Sequence, residues 1–170
     1  MRIRSKILPA FLIAVAGTLA PSAASAQGGS LFEGLSGSWS GSGTVRWQNG
    51  NTERLRCDAA YKLAPSGGTL HQDLRCKSDS YRVNLKTTVV TQGSAISGTW
   101  VETVKSVEGR ISGQATPGQI RARAQAPGIT VTLSVSTKGD QQSISLRSQG
   151  EDSTTVSIVL RRSAVRALAQ

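Results

Sequence analysis

The chain has 170 residues, 20 Lys and Arg against 10 Asp and Glu, one histidine and two cysteines, and a formal net charge of +10. That length supports a single domain. One histidine and two cysteines are too few ligands for a zinc site, and an aromatic content of 4% is too low for the two interfacial girdles of an outer-membrane barrel.

Residues 1–26 read as a cleaved secretory signal. Arg2, Arg4 and Lys6 form a positive start, and residues 7–20 form an apolar run shorter than the ~20 residues needed to span a bilayer. The segment then ends on Ala24-Ser25-Ala26, the small-x-small pattern of a cleavage site. Its removal lowers the net charge from +10 to +7 and leaves a mature chain with no transmembrane span. In an exported chain, positive charge points away from nucleic acid and towards an anionic envelope component. The basic residues are scattered between segments, however, as they are on a solvated face.

Residues 27–36 form a lead-in, in which 30–35 reads as a short helical turn. From Gly37 to Arg162 the chain alternates apolar and polar residues between turn signals such as "NGN" at 49–51, "PSGG" at 65–68 and "KGD" at 138–140. This is the pattern of short antiparallel strands in series. The strands fall at 37–48, 52–63, 69–77, 80–90, 94–102, 109–115, 119–125, 129–136, 141–149 and 153–162, and a tail follows at 163–170.

Hairpin pairing provides a test of register, because a slip of one residue moves a whole strand face to the wrong side. A loop of Asn49, Gly50 and Asn51 sets Val45 opposite Leu55, Gly43 opposite Cys57, Gly41 opposite Ala59 and Trp39 opposite Tyr61. A turn at Ser66-Gly67 sets Leu63 opposite Leu70, Tyr61 opposite Gln72, and Cys57 opposite Cys76. Directly opposed Cβ atoms lie about 4.5–5.5 Å apart, so the two cysteines are placed to form a disulfide, as an oxidising compartment favours. A redox pair would want Cys-x-x-Cys, which is absent.

Ten such strands predict an all-β fold, a single antiparallel up-and-down barrel of about eight to ten strands with one disulfide. Gly41 and Gly43 supply the close approach that closure requires. A two-sheet β-sandwich satisfies the same pattern. The facing of strand 94–102 stays open, since Ile96, Gly98, Trp100 and Glu102 or Ser97, Thr99 and Val101 can point inwards.

The residues offer little catalytic chemistry. No Ser sits in a nucleophile elbow, no phosphate or dinucleotide loop is present, His71 falls on an outward position, and most acids fall in turns. No catalytic residue, cofactor or metal is implied. Glu102, if inward beside Trp100, is a polar anchor for a ligand.

The stretch "GLSGSW", with Gly37 and Trp39, and "IVLRR", with Arg162 in phase with Ile158 and Leu160, resemble the two ends of calycin-type barrels such as lipocalins and fatty-acid-binding proteins. In those barrels a Gly-x-Trp on the first strand is crossed by an arginine from the last, so the resemblance implies that Arg162 packs on Trp39. The mature chain also resembles uncharacterised exported proteins of Gram-negative, alphaproteobacterial type. It is longer than the periplasmic metalloprotease inhibitors that share a start like "LSGSW". Unlike nitrobindin-like haem barrels, it has no histidine near its end.

The expectation is therefore a non-enzymatic barrel, periplasmic or secreted, that binds a small apolar or amphipathic ligand in its lumen. Trp47, Tyr61, Tyr81, Trp100 and Glu102 would form the wall. The alternative is an envelope interaction protein, or a protease-inhibitor-like barrel, with a packed core.

Overall fold

A computed structural model describes residues 30–150 and 153–164. The expected signal at 1–26 and residues 165–170 of the tail lie outside the described residues. Ten strands follow in sequence order: β1 (Gly37–Trp47), β2 (Thr52–Leu63), β3 (Thr69–Lys77), β4 (Arg82–Gln92), β5 (Ala95–Glu102), β6 (Val107–Thr116), β7 (Gln119–Ala126), β8 (Ile129–Lys138), β9 (Gln141–Gln149) and β10 (Thr154–Arg162). Each pairs antiparallel with the next. The first and last pair from Trp39↔Arg162 to Trp47↔Thr154, which closes the sheet into a barrel. The sandwich alternative fails on this seam, because closure leaves no sheet edge and no second sheet.

The period-two pattern decides which residues face inwards. On β2, Leu55, Cys57, Ala59 and Tyr61 are buried while Arg54, Arg56, Asp58 and Ala60 are exposed. On β5, Ile96, Trp100 and Glu102 are buried, which fixes the facing that the sequence left open. The seam depends on a missing side chain, since a Cβ added to Gly41 would lie 2.0 Å from the Val159 carbonyl oxygen on β10. Any larger residue at that position would push the two closing strands apart.

The β2–β3 hairpin has the expected register. Leu63 faces Leu70, Tyr61 faces Gln72, and Cys57 faces Cys76, with the two cysteines joined in a disulfide at a Cα separation of 4.2 Å. A ring of this size constrains the unfolded chain by about 3 kcal/mol in the loop-entropy account.

The β1–β2 hairpin differs by two residues from expectation: Trp39 faces Ala59, Gly41 faces Cys57, and Val45 faces Glu53. Its loop is Gln48, Asn49 and Gly50. Trp47 N–H donates to the Asn51 carbonyl at 3.0 Å, and Gly50 N–H donates to the Trp47 carbonyl at 3.0 Å. Gly50 takes the left-handed position at φ 85°, and the Asn49 side chain accepts from Asn51 N–H at 3.0 Å. Asn51 is thereby drawn onto the strand side of the loop. An even slip preserves every inward face, so the core residues are unaffected and the bulky Trp39 gains a small neighbour in Ala59.

The lead-in forms turns where a short helical turn was expected. Glu33 N–H donates to Ser30 at 2.8 Å and Leu35 N–H to Phe32 at 3.0 Å, and Gly34 at φ 81° ends any continuation. These turns press Phe32, fully buried, and Leu35 into one end of the barrel.

Candidate functional site

The end of the barrel where β1 begins and β10 ends is closed by contacts of Arg162 and Trp39. The Arg162 guanidinium carbon lies 4.3 Å from the Trp39 ring centroid. Arg162 also donates to the carbonyls of Gly34 and Ser36 and pairs with Asp140 at 2.9 Å. Trp39 Nε1 donates to the Leu35 carbonyl at 2.8 Å, so the lead-in is fastened from both β1 and β10. Gly37, at φ 119°, leaves room here: a Cβ at that position would come 3.1 Å from Arg162 Nη1.

Above this floor the barrel is not filled. An inner cavity of about 180 Å³ lies between Phe32 and Leu35 of the lead-in and the strand residues Tyr61, Trp100, Ile111 and Leu133. A mouth cavity of about 900 Å³ is lined by Trp47, Tyr81, Trp100, Glu102, Lys105 and Ile129, among others. Leu85, Trp100, Val131 and Leu146 border both cavities and form a waist between them. Of the residues singled out from sequence, Tyr61 and Trp100 line the inner cavity, while Trp47, Tyr81, Trp100 and Glu102 line the mouth. The expectation of a packed core does not match these two spaces.

A polar row crosses the otherwise apolar inner wall. Tyr61, Gln72, Thr87 and Trp100 are successive cross-strand partners on β2, β3, β4 and β5. The Tyr61 hydroxyl donates to Gln142 Oε1 at 2.7 Å and accepts from Gln72 Nε2 at 3.1 Å. Gln142, fully buried, reaches on to Thr137 Oγ1 at 3.2 Å. Burial in apolar surroundings pushes the Tyr61 phenol up to about 12, against the weaker opposing effect of hydrogen bonds from Gln72 and to Gln142. Phe32, Leu35, Gln72, Thr87 and Gln142 were not singled out from sequence. Gln72 was placed opposite Tyr61 by the hairpin register, and Gln142 shares parity with Ile144 and Leu146, so their inward facing was available.

Glu102 points inwards beside Trp100, but its carboxylate is committed to the mouth's own structure. It accepts from the backbone N–H groups of Asn84 and Val104 at 3.0 Å each and from Lys105 at 2.7 Å. Desolvation raises its pKa and is the largest single effect. The three amides and the Lys105 charge together outweigh it, and the group ends below the usual carboxylate value. These bonds tie the β5–β6 turn, where Ser106 holds a left-handed φ of 53°, to the start of β4. Lys105 Nζ then sits 5.1 Å above the Tyr81 ring.

His71 lies on the outer face, 3.1 Å from Thr88 Oγ1. Among the described residues no group of three or more His, Cys, Asp or Glu could hold a metal ion, and no helix is long and apolar enough to cross a membrane.

No family model and no curated protein sequence matches the chain. Solved structures do. An S-type phycobiliprotein lyase from Guillardia theta is similar at a TM-score of 0.59 and 12% identity, over 79% of this chain and 92% of that one. The protein Rv2717c from M. tuberculosis is similar at 0.64 and 14%, over 78% and 94%. A protein of unknown function from the DUF3598 family of Nostoc punctiforme is similar at 0.56 and 14%, over 76% of this chain and 48% of that one. These likenesses establish the calycin-like barrel fold. They also correct the expectation of a non-enzymatic protein, which rested on finding no convergent polar cluster. One barrel of this fold is by its name a lyase, so neither the fold nor a sparse polar set marks the chain as lacking catalysis.

The buried phenol gives a pH signature. A folded-state pKa near 12 against an ordinary value of 10 means that the unfolded chain loses the Tyr61 proton first. Stability is therefore intact below pH 10 and falls as pH rises towards 12. Denaturant midpoints of the native chain should show an alkaline loss on the order of 2 kcal/mol beyond that of Tyr61→Phe. Parallel pH curves for the two proteins would contradict this burial.

Proposed function

We propose that this chain binds a small apolar or amphipathic ligand in its barrel lumen, entering by the mouth and seating its leading part beneath the waist. The pair of adjoining cavities, which share Leu85, Trp100, Val131 and Leu146 in their walls, is the observation that carries this reading. Apolar cavities of about 150 Å³ take up a single-ring molecule, and the inner cavity of about 180 Å³ is of that order. A larger ligand would extend through the waist into the mouth, against Trp47 and Tyr81.

Export to the periplasm or beyond belongs to the same proposal. Its supports are the charged start, apolar run and small-x-small end of residues 1–26, together with a disulfide of the kind that oxidising compartments maintain.

The lumen is tested with the neutral fluorescent dye N-phenyl-1-naphthylamine. The native chain should bind it, and Ala124→Phe, which places a ring in the inner cavity, should weaken binding at least tenfold while melting as a folded barrel. Absence of dye binding, or equal binding by the folded variant, would sink the reading. For export, expression with its own N-terminus in Gram-negative cells should yield a periplasmic chain beginning at Gln27 with no free thiols. A cytoplasmic chain retaining Met1 would refute it.

A further inference from the structure

Among the described residues the inner cavity is lined by no Lys, Arg, His, Asp or Glu, yet it is not uniformly apolar. Its polar groups are concentrated in the row of Tyr61, Gln72 and Thr87 and in Gln142 facing that row. Two of the four are occupied. The Tyr61 hydroxyl both donates and accepts, and Gln142 is held by Tyr61 and Thr137. The other two have capacity left. Thr87 is only 8% exposed and stands directly across from Gln72, and its hydroxyl has no hydrogen-bond partner among the described residues. Gln72 spends one amide N–H on Tyr61, and no protein group among the described residues engages its carbonyl oxygen. A hydroxyl and an amide are thus held side by side at one level of an apolar chamber, and Tyr61 fixes the amide's orientation.

We infer that Thr87 and Gln72 form a subsite for the uncharged polar end of the ligand, selecting an alcohol or an N–H-bearing amide over a carboxylate. This rests on the lumen reading and adds its selectivity. A carboxylate at this depth would be buried without a counter-ion, which is heavily disfavoured. A wholly apolar ligand would leave Thr87 and the Gln72 carbonyl unpaired, and a site built to hydrogen-bond a polar group discriminates against analogues that lack it. A neutral group that both donates and accepts satisfies both residues, and its apolar remainder lies along Ile111, Leu133 and Ile144 towards the waist.

The test is displacement of N-phenyl-1-naphthylamine at pH 7.5 by octan-1-ol, octanoate and 1-chlorooctane, which share one chain length and differ at one end. The native chain should bind octan-1-ol at least tenfold more tightly than octanoate. Thr87→Val, which keeps the shape and removes the hydroxyl, should weaken octan-1-ol about fivefold and leave 1-chlorooctane within twofold. Gln72→Met serves as the second variant and should act in the same direction. Equal or tighter binding of octanoate would overturn the inference, as would loss of octan-1-ol and 1-chlorooctane in equal measure, or of neither, in both variants. In those outcomes the dye still binds and the lumen reading stands. Failure of the dye to bind removes both.

Discussion

The closed end of the barrel depends on the Arg162 guanidinium. It is the last residue of β10 and lies on the ring of Trp39, which enters the barrel from β1, so a single stacked pair marks where the sheet meets itself. Its planar set of donors also reaches two carbonyls of the lead-in and one carboxylate of the β8–β9 turn. A lysine would carry the same charge but could not stack and fork in this way. The consequence is asymmetry: one end is stoppered by Phe32 and Leu35, and the other remains a mouth bordered by Trp47, Tyr81 and Lys105.

That asymmetry gives the interior its character. A cavity of about 180 Å³ costs on the order of 4 kcal/mol relative to a filled core. The Cys57–Cys76 crosslink contributes about 3 kcal/mol, a comparable amount in the opposite direction, from a wall position that takes no volume from the chamber. A molecule bound in the lumen, as proposed, would restore the contacts that such a cavity forgoes.

Much of this architecture was legible in the sequence, and the exceptions have physical causes. Strand number, and the facing of the strands other than 94–102, follow from the period-two pattern, because each inward position has to bury an apolar group. The cysteines could be paired because Leu63–Leu70 and Tyr61–Gln72 fixed the same register. The β1–β2 register was misplaced by two residues because an even slip leaves every face unchanged; the difference lay in the Asn49 side chain and the left-handed Gly50. Glu102 reads as a ligand anchor only if it faces inwards, which the structure shows it does, but nothing in the sequence shows that a neighbouring turn offers it three amides. The buried polar groups Gln72, Thr87 and Gln142 are not evident from the sequence because they are ordinary outward residue types, distinguished only by parity. Catalysis could not be excluded from the sequence, since a sparse set of titratable groups describes the fold's interior more than its chemistry.

The proposed lumen is a container for a small molecule. Its most direct test is native mass spectrometry of the chain purified without detergent from its own cells. The expected result is a folded species heavier than the polypeptide by the mass of one uncharged small molecule, released on denaturation. A folded chain that flies only at its bare polypeptide mass, and stays so after incubation with a lipid extract of the same cells, would contradict it.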